Sequence, residues 1–385
     1  MREKRKKAEQ ILMLVIVITM IFMCGNYRNQ KYGFQTGKSD ENVYYVRAEV
    51  QKVIEQEMSY SESDKEYELG YQKLMVRVLE GEFKGQELVI DNYITVQHHV
   101  VLTENSKVIV CIDCPDGVEP YYSIYNYDRS DGLIMVLGIF VLLVAMVGGR
   151  QGVRSCIALL FTLLLVFCYL LPHLFEGDNA AGITMITVSL SCAVTCFCIG
   201  GISKKTILNV ISAVLGGVSA GLLYEVFSKI LSISGCNMDE AETLALVART
   251  TGLRLEGVLF AAVTVASLGA VMDVAVSLGA SLFEISNLNP NIERKELFRS
   301  GMNIGKDMIG TMTNTLILAF AGGTLSTLLV FVAYGVQFHQ LISSNLLALE
   351  VAKGLAGSAA VVMTVPISAA VCALGYGKNK TNEGV

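Results

Sequence analysis

Tryptophan is absent from this chain of 385 residues, so any aromatic girdle at a membrane surface must be built from its 16 tyrosines and 15 phenylalanines. Charge is sparse as well: 17% of the residues are Asp, Glu, Lys or Arg, against 52% hydrophobic, and the mean hydropathy is +0.50. A soluble domain interrupts its apolar runs with charge more often, which points to an integral membrane protein. Also missing are the phosphate-cradling P-loop, the glycine fingerprint of a dinucleotide fold, HExxH and the serine-nucleophile elbow. The chain is accordingly not expected to be an enzyme, and no cofactor or metal site is expected.

Ten cysteines are present, and most of them, for example Cys156, Cys168, Cys192, Cys196, Cys198 and Cys372, fall inside apolar segments, where Cys acts as a small hydrophobe. Cys111 and Cys114 form a lone CxxC. Residues three apart on a strand point to opposite faces, which disfavours a disulfide, a redox pair or half of a zinc site. His98-His99 reads as a solvated loop pair.

Residues Arg2 to Lys7 include five basic side chains and precede an uncharged apolar run from Ile11 to Gly25. Without a small-x-small cleavage pattern, this reads as an uncleaved anchor with its N-terminus inside (residues 1–25). From residue 26 to 131 the composition turns polar, with alternating stretches at Tyr71 to Leu79, Leu88 to Val96 and Val100 to Ile112. Alternation predicts half-buried strands, with turns at Glu80–Gly85 and Glu104–Ser106. About five short strands suit a small OB-like barrel, with a sandwich as the alternative. This segment holds 11 basic against 19 acidic residues, the wrong sign for nucleic acid.

Seven further apolar segments follow in a membrane domain over residues 132–377: Leu133 to Gly149, Cys156 to Leu171, Ile183 to Ile199, Ile207 to Leu231, Val258 to Ala280, Met308 to Tyr334 and Leu355 to Leu374. With the anchor they predict an α-helical polytopic protein of about eight spans and a cytoplasmic tail at 378–385. The loops then test the topology, because Lys and Arg favour the cytoplasmic side. With the N-terminus inside, the inner segments carry fifteen basic residues and the outer membrane-domain loops three. That asymmetry predicts both termini inside and residues 26–131 outside a bacterial plasma membrane.

Two apolar segments carry acids and amides at depths from which lipid normally excludes them. In the first, Ala262, Ala266, Gly269, Asp273, Ser277 and Ala280 recur every three or four residues, on one helical face. In the second, Asn303, Asp307, Gly310 with Thr311, and Asn314 do the same. An Asp at the centre of a span costs about 2.5–3.5 kcal/mol on insertion scales, so Asp273 calls for a partner, a proton or water. The two faces are expected to meet, either as a substrate or ion path made of Asp273, Asn303, Asp307, Thr311 and Asn314 or as a structural network. Glu225 and Lys229, one turn beyond Gly217 and Gly221, read as a structural helix pair. Residues Asn237 to Gly252, with Asp239, Glu240 and Glu242 near the start, read as a short amphipathic helix on the membrane surface.

The runs Leu268-Gly269-Ala270-Val271-Met272-Asp273-Val274-Ala275-Val276-Ser277 and Ser300-Gly301-Met302-Asn303-Ile304-Gly305-Lys306-Asp307-Met308-Ile309-Gly310-Thr311-Met312-Thr313-Asn314-Thr315-Leu316 resemble the signature of the YibE/F family of bacterial multi-pass membrane proteins. The resemblance implies an N-terminal anchor, an outer β-rich domain and a helical membrane domain, and it implies no mechanism.

Three functions compete. A permease or channel would use the polar faces as a path at membrane depth, and their acids favour a small cationic solute or a proton-coupled step. A non-transporting anchor or accessory protein would bind an envelope ligand or partner through its outer domain. An intramembrane aspartyl protease would pair the two aspartates. Against that third reading, the chain has Asn303-Ile304-Gly305-Lys306-Asp307 in place of Gly-x-Gly-Asp, and no Pro-Ala-Leu follows. The expected partners are thus the lipid bilayer and a small solute or ion.

Overall fold

A computed structural model describes residues 13, 15–25, 42–60, 68–238 and 241–378. The basic N-terminal segment, Asp239, Glu240 and the tail beyond Lys378 lie outside the described residues. The described chain divides into two compact units. One runs up to Leu143 and holds the strands. The other runs from Val144 onward and includes the N-terminal helix α1 (Val15–Gly25).

The first unit is a five-stranded antiparallel sheet: β1 (Val43–Tyr60), β2 (Glu68–Val78), β3 (Glu87–Ile94), β4 (Lys107–Asp113) and β5 (Tyr121–Tyr127), in the order β3-β2-β1-β4-β5. Its edge strands β3 and β5 touch, so the sheet curls into a half-barrel. Strict alternation along β3 buries Leu88, Ile90 and Ile94, and Leu88 and Ile90 share one core with Val46, Val50, Leu74, Val76, Val108 and Val110. The expected turns sit where the chain needs positive φ: Gly81 and Gly85 at +78° and +85°, and Asn105 at +66°. The stretch expected as a strand from Val100 starts only at Lys107. Two buried amide side chains account for this. Gln72 donates to the Leu102 carbonyl at 2.9 Å and accepts from its N–H at 3.0 Å, while Asn92 donates to the Val100 carbonyl at 2.8 Å. They satisfy the 100–102 backbone as a ladder would, and the segment plugs the core without pairing.

The second unit is helical. A long apolar run starts at α2 (Ser130–Leu165), passes through a π-turn at Val166–Leu170 and ends at α3 (Leu171–Glu176). Next come α4 (Ala180–Gly200), α5 (Lys204–Ile230), the short α6 (Ala241–Thr250), α7 (Leu255–Leu288), α8 (Arg294–Gly323), α9 (Leu325–Ala333), α10 (Phe338–Ile342) and α11 (Asn345–Tyr376). Side-chain caps begin three of them: Asn179 accepts from Gly182 N–H, Ser203 from Thr206 N–H and Ser344 from Leu347 N–H.

Among the described residues, five helices are long and apolar enough to cross a membrane, or six if the bent α8–α9 pair counts as one. Eight spans were expected, and three features explain the difference. The 47-residue run from Ser130 holds the first two expected spans of the membrane domain as two helices that meet at a kink at Gly149, with φ +54°, where a Cβ on Gly152 would overlap the Val144 backbone. Helix α1 is short. The expected span from Met308 to Tyr334 bends by 53° between α8 and α9. Glycines set how closely the helices pack. A Cβ on Gly305 would overlap Val365 of α11, one on Gly216 would reach Val271 of α7 and Thr364 of α11, and one on Gly279 would overlap Asn209 of α5. Helix α11 therefore lies against α5, α7 and α8 together.

Candidate functional site

The three- and four-residue spacing of the polar positions does put them on single faces, and both faces are exposed. Along α7 the buried side carries Leu268, Val271, Val274, Ala275, Leu278 and Leu282, which leaves Ala262, Ala266, Gly269, Asp273 and Ser277 outward. Along α8 the residues against α7 and α11 are Leu297, Gly301, Gly305, Met308 and Met312, so Asn303, Asp307, Gly310, Thr311 and Asn314 point away. Among the described residues, neither carboxylate has a hydrogen-bond or ion-pair partner. Thr311 only returns its hydroxyl to the Met308 carbonyl, at 3.1 Å. The faces expected to meet are not joined within one chain.

Polar groups do collect inside the bundle, at positions that sequence reasoning passed over. Thr184, Thr187 and Ser191 of α4, Asn209 and Ser212 of α5, Thr264 and Ser267 of α7, and Ser358, Thr364 and Ser368 of α11 are all buried. Four of these hydroxyls return to the carbonyl one turn back: Thr187 to Ile183, Thr264 to Phe260, Ser267 to Val263 and Thr364 to Ala360. Among the described residues the side-chain oxygens of Thr184, Asn209, Ser212, Ser358 and Ser368 have no partner. Their positions along antiparallel helices spread them through the depth of the bundle. Buried polar atoms are rarely left unsatisfied, and such groups commonly hold water or a ligand. The signal was present in the sequence as Asn209, Ser212 and Gly216 at helical spacing.

Above this interior, a cavity of about 690 Å³ opens between the ends of α4, α5 and α7. Its charged walls are Glu225, Arg254 and Glu256, its floor Met185, Val218 and Phe260. Helix packing explains the placement. Gly257 lies against Ala180, and Gly221 against Phe260 and Met185, which brings the first turn of α7 over the ends of α4 and α5. Glu256 in that first turn suits the positive end of the helix dipole.

A model of the family described as YibE/F-like protein matches residues 136–378. The chain belongs to the YibE/F-like family. No curated protein and no solved structure matches it. The YibE/F-like region contains α4 to α11, and with them both exposed polar faces, the buried hydroxyls and the cavity, whereas the half-barrel precedes it.

The remaining expected residues fall as follows. Glu225 and Lys229 pair at 3.4 Å with both side chains largely exposed, and Glu225 also lines the cavity. Cys111 and Cys114 are free thiols. Cys111 lies beside Tyr45, whose hydroxyl it pushes up in pKa by hydrogen bonding, while Cys114 packs on the opposite, core side. His98 sits in a turn where its N–H donates to Thr95 Oγ1 at 3.0 Å. At the end of the half-barrel, Asp128 is buried and accepts from Arg47 Nε at 2.6 Å, from the Ser130 N–H at 3.0 Å and from the Ser130 hydroxyl. Burial pushes the Asp128 carboxyl up, but the Ser130 and Arg47 donors outweigh it and hold the group below its ordinary value. Arg47 also reaches Asp131, which Lys107 contacts at 2.7 Å.

Proposed function

We propose that this YibE/F-like chain is an integral plasma-membrane protein that moves a small, cationic solute or ion through the interior of the α4–α5–α7–α11 bundle, entering by the cavity walled by Glu225, Arg254 and Glu256. The membrane reading draws its support from α2, whose first half is apolar all round, with Leu133, Ile134, Leu137, Phe140 and Leu143 exposed. Leaving such side chains in water costs about 1.5–3 kcal/mol each, a penalty lipid removes. The transport reading is carried by one observation, the unpartnered buried oxygens of Thr184, Asn209, Ser212, Ser358 and Ser368 beneath an acid-lined cavity. The charge bias of the loops supports cytoplasmic termini and an outer half-barrel.

Proteoliposomes loaded with a panel of H⁺, Na⁺, K⁺ and Mg²⁺ reporters test it. Flux of at least one cation is expected, reduced tenfold or more by Ser212→Leu and by Glu256→Gln in protein of unchanged monodispersity. Asp273→Asn and Asp307→Asn separate the interior from the exposed faces. If those two variants abolish flux and Ser212→Leu does not, the path runs along α7 and α8 instead. Absence of flux for every ion overturns the transport reading.

The accessory reading has its own support in the half-barrel. Tyr45 and Tyr125 pack edge to face at 5.0 Å on the uncovered side of the sheet, both more than half exposed. Exposed tyrosine of this kind is typical of protein-recognition surfaces.

A further inference from the structure

Helix α3 ends in a turn that sequence reasoning did not single out. Gly177 adopts φ +83°, its N–H donates to the Leu174 carbonyl at 3.2 Å, and the Asp178 N–H donates to the His173 carbonyl at 3.2 Å. This is a Schellman closure, which sets the third-last helical residue beside the second residue past the end. The two residues so paired are commonly apolar; here they are His173 and Asp178. Their Nδ1 and Oδ2 atoms stand 3.9 Å apart, too far for a hydrogen bond. Glu176 completes the group, and one ligand atom from each of the three side chains lies within 4.8 Å of the others. Among the described residues no other three such side chains converge in this way.

A further observation points to a ligand. Among the described residues His173 Nδ1 is a covered atom with no hydrogen-bond partner, in a side chain 33% exposed whose ring is held by an edge-to-face contact with Tyr169 at 4.6 Å. A covered imidazole nitrogen turned toward two carboxylates is a donor set in which a cation can sit. The backbone under the three side chains is also clamped. Gly177 and Gly252 press directly together, and a Cβ on either would overlap the other's backbone. Gly177 and Asn179, on either side of Asp178, line the 690 Å³ cavity, and the Glu176 and Asp178 side chains are exposed.

We propose that His173, Glu176 and Asp178 bind a divalent transition-metal ion at the rim of the cavity. Two carboxylates balance the ion's charge, and the imidazole favours Zn²⁺ or Mn²⁺ over Ca²⁺ or Mg²⁺. Bonds of about 2.0–2.2 Å hold ligand atoms roughly 3–3.5 Å apart, so closure needs side-chain shifts on the order of 1 Å with the backbone fixed. Three protein ligands leave coordination positions open to solvent. The site stands independently of whether the chain transports anything.

The test is Zn²⁺ alone, added to the full chain in detergent after stripping with a chelator, with bound metal counted by elemental analysis and stability followed by thermal unfolding. One Zn²⁺ per chain is expected, together with a rise in Tm. His173→Ala and Asp178→Asn should each weaken binding at least tenfold and abolish the Tm rise, while Glu87→Gln, exposed on β3 of the half-barrel, changes neither. Because His173→Ala also loses the Tyr169 contact, Asp178→Asn serves as the variant that keeps the fold. The proposal is overturned if the wild type binds no Zn²⁺, or if both variants bind it as the wild type does.

Discussion

At the scale of single residues, burial decides what an ionised side chain does. Asp128 and Asp273 are both aspartates near apolar surroundings, yet only Asp128 is enclosed and supplied with donors from Arg47 and Ser130. Because its carboxyl is held below the usual value near 3.8, the stability it contributes is present above that value and is lost as pH falls through the lowered one. Hydrogen exchange of β1 and β5 amides should therefore show protection unchanged by this group from pH 7 to 5 and declining below about 4. Asp128→Asn should remove that acid sensitivity and cost about 1–3 kcal/mol at neutral pH, since Arg47 loses its charged acceptor. Acid sensitivity that persists in the variant would assign the effect to other groups. Nothing in the local sequence Asp128-Arg129-Ser130 marks this acid as buried, because Arg47 arrives from 81 residues away.

Single elements follow their local pattern closely. The alternation in Leu88 to Val96 became β3, and the apolar runs became helices whose starts carry the caps Asn179, Ser203 and Ser344. Where a pattern failed, a side chain from another element had intervened, as Gln72 and Asn92 do at residues 100–102. The first half of α2 gives an element-scale prediction, because none of its large apolar side chains from Leu133 to Leu143 finds cover among the described residues. Leu137→Lys should cost about 2.5–3.5 kcal/mol of insertion free energy if that face meets lipid. A reporter-fusion insertion assay would read this as a marked loss of the spanning form. Insertion equal to the wild type would mean that the face is covered by protein.

For the whole molecule, fifteen inner basic residues against three in the outer membrane-domain loops predict the orientation. Protease added to intact spheroplasts should cut the half-barrel and leave a membrane-protected fragment beginning near α2, whereas inverted vesicles should protect the half-barrel. The opposite pattern would reverse the topology and put the cavity of Glu225 and Glu256 on the cytoplasmic face.

Composition and period determined the class of this protein, because a high apolar content, sparse charge and helical or strand spacing are local properties that any neighbour leaves intact. The same reading found the half-barrel, most of the long helices, the family and the single-face grouping of Asp273 with Ser277 and of Asp307 with Asn314. It could not tell which way those faces point. A helix that is small and apolar nearly all round, as α7 is, has no preferred side until its neighbours exist. Gly279 accepting Asn209, and Gly216 fitting against Val271 and Thr364, turned the opposite side of α7 inward and left Asp273 out. Tertiary packing alone sealed Ser212 and Asn209 into the bundle, brought Glu256 to Glu225 around one cavity, and folded Asp178 back beside His173. Each of these depends on distances between helices, which no period within a helix encodes.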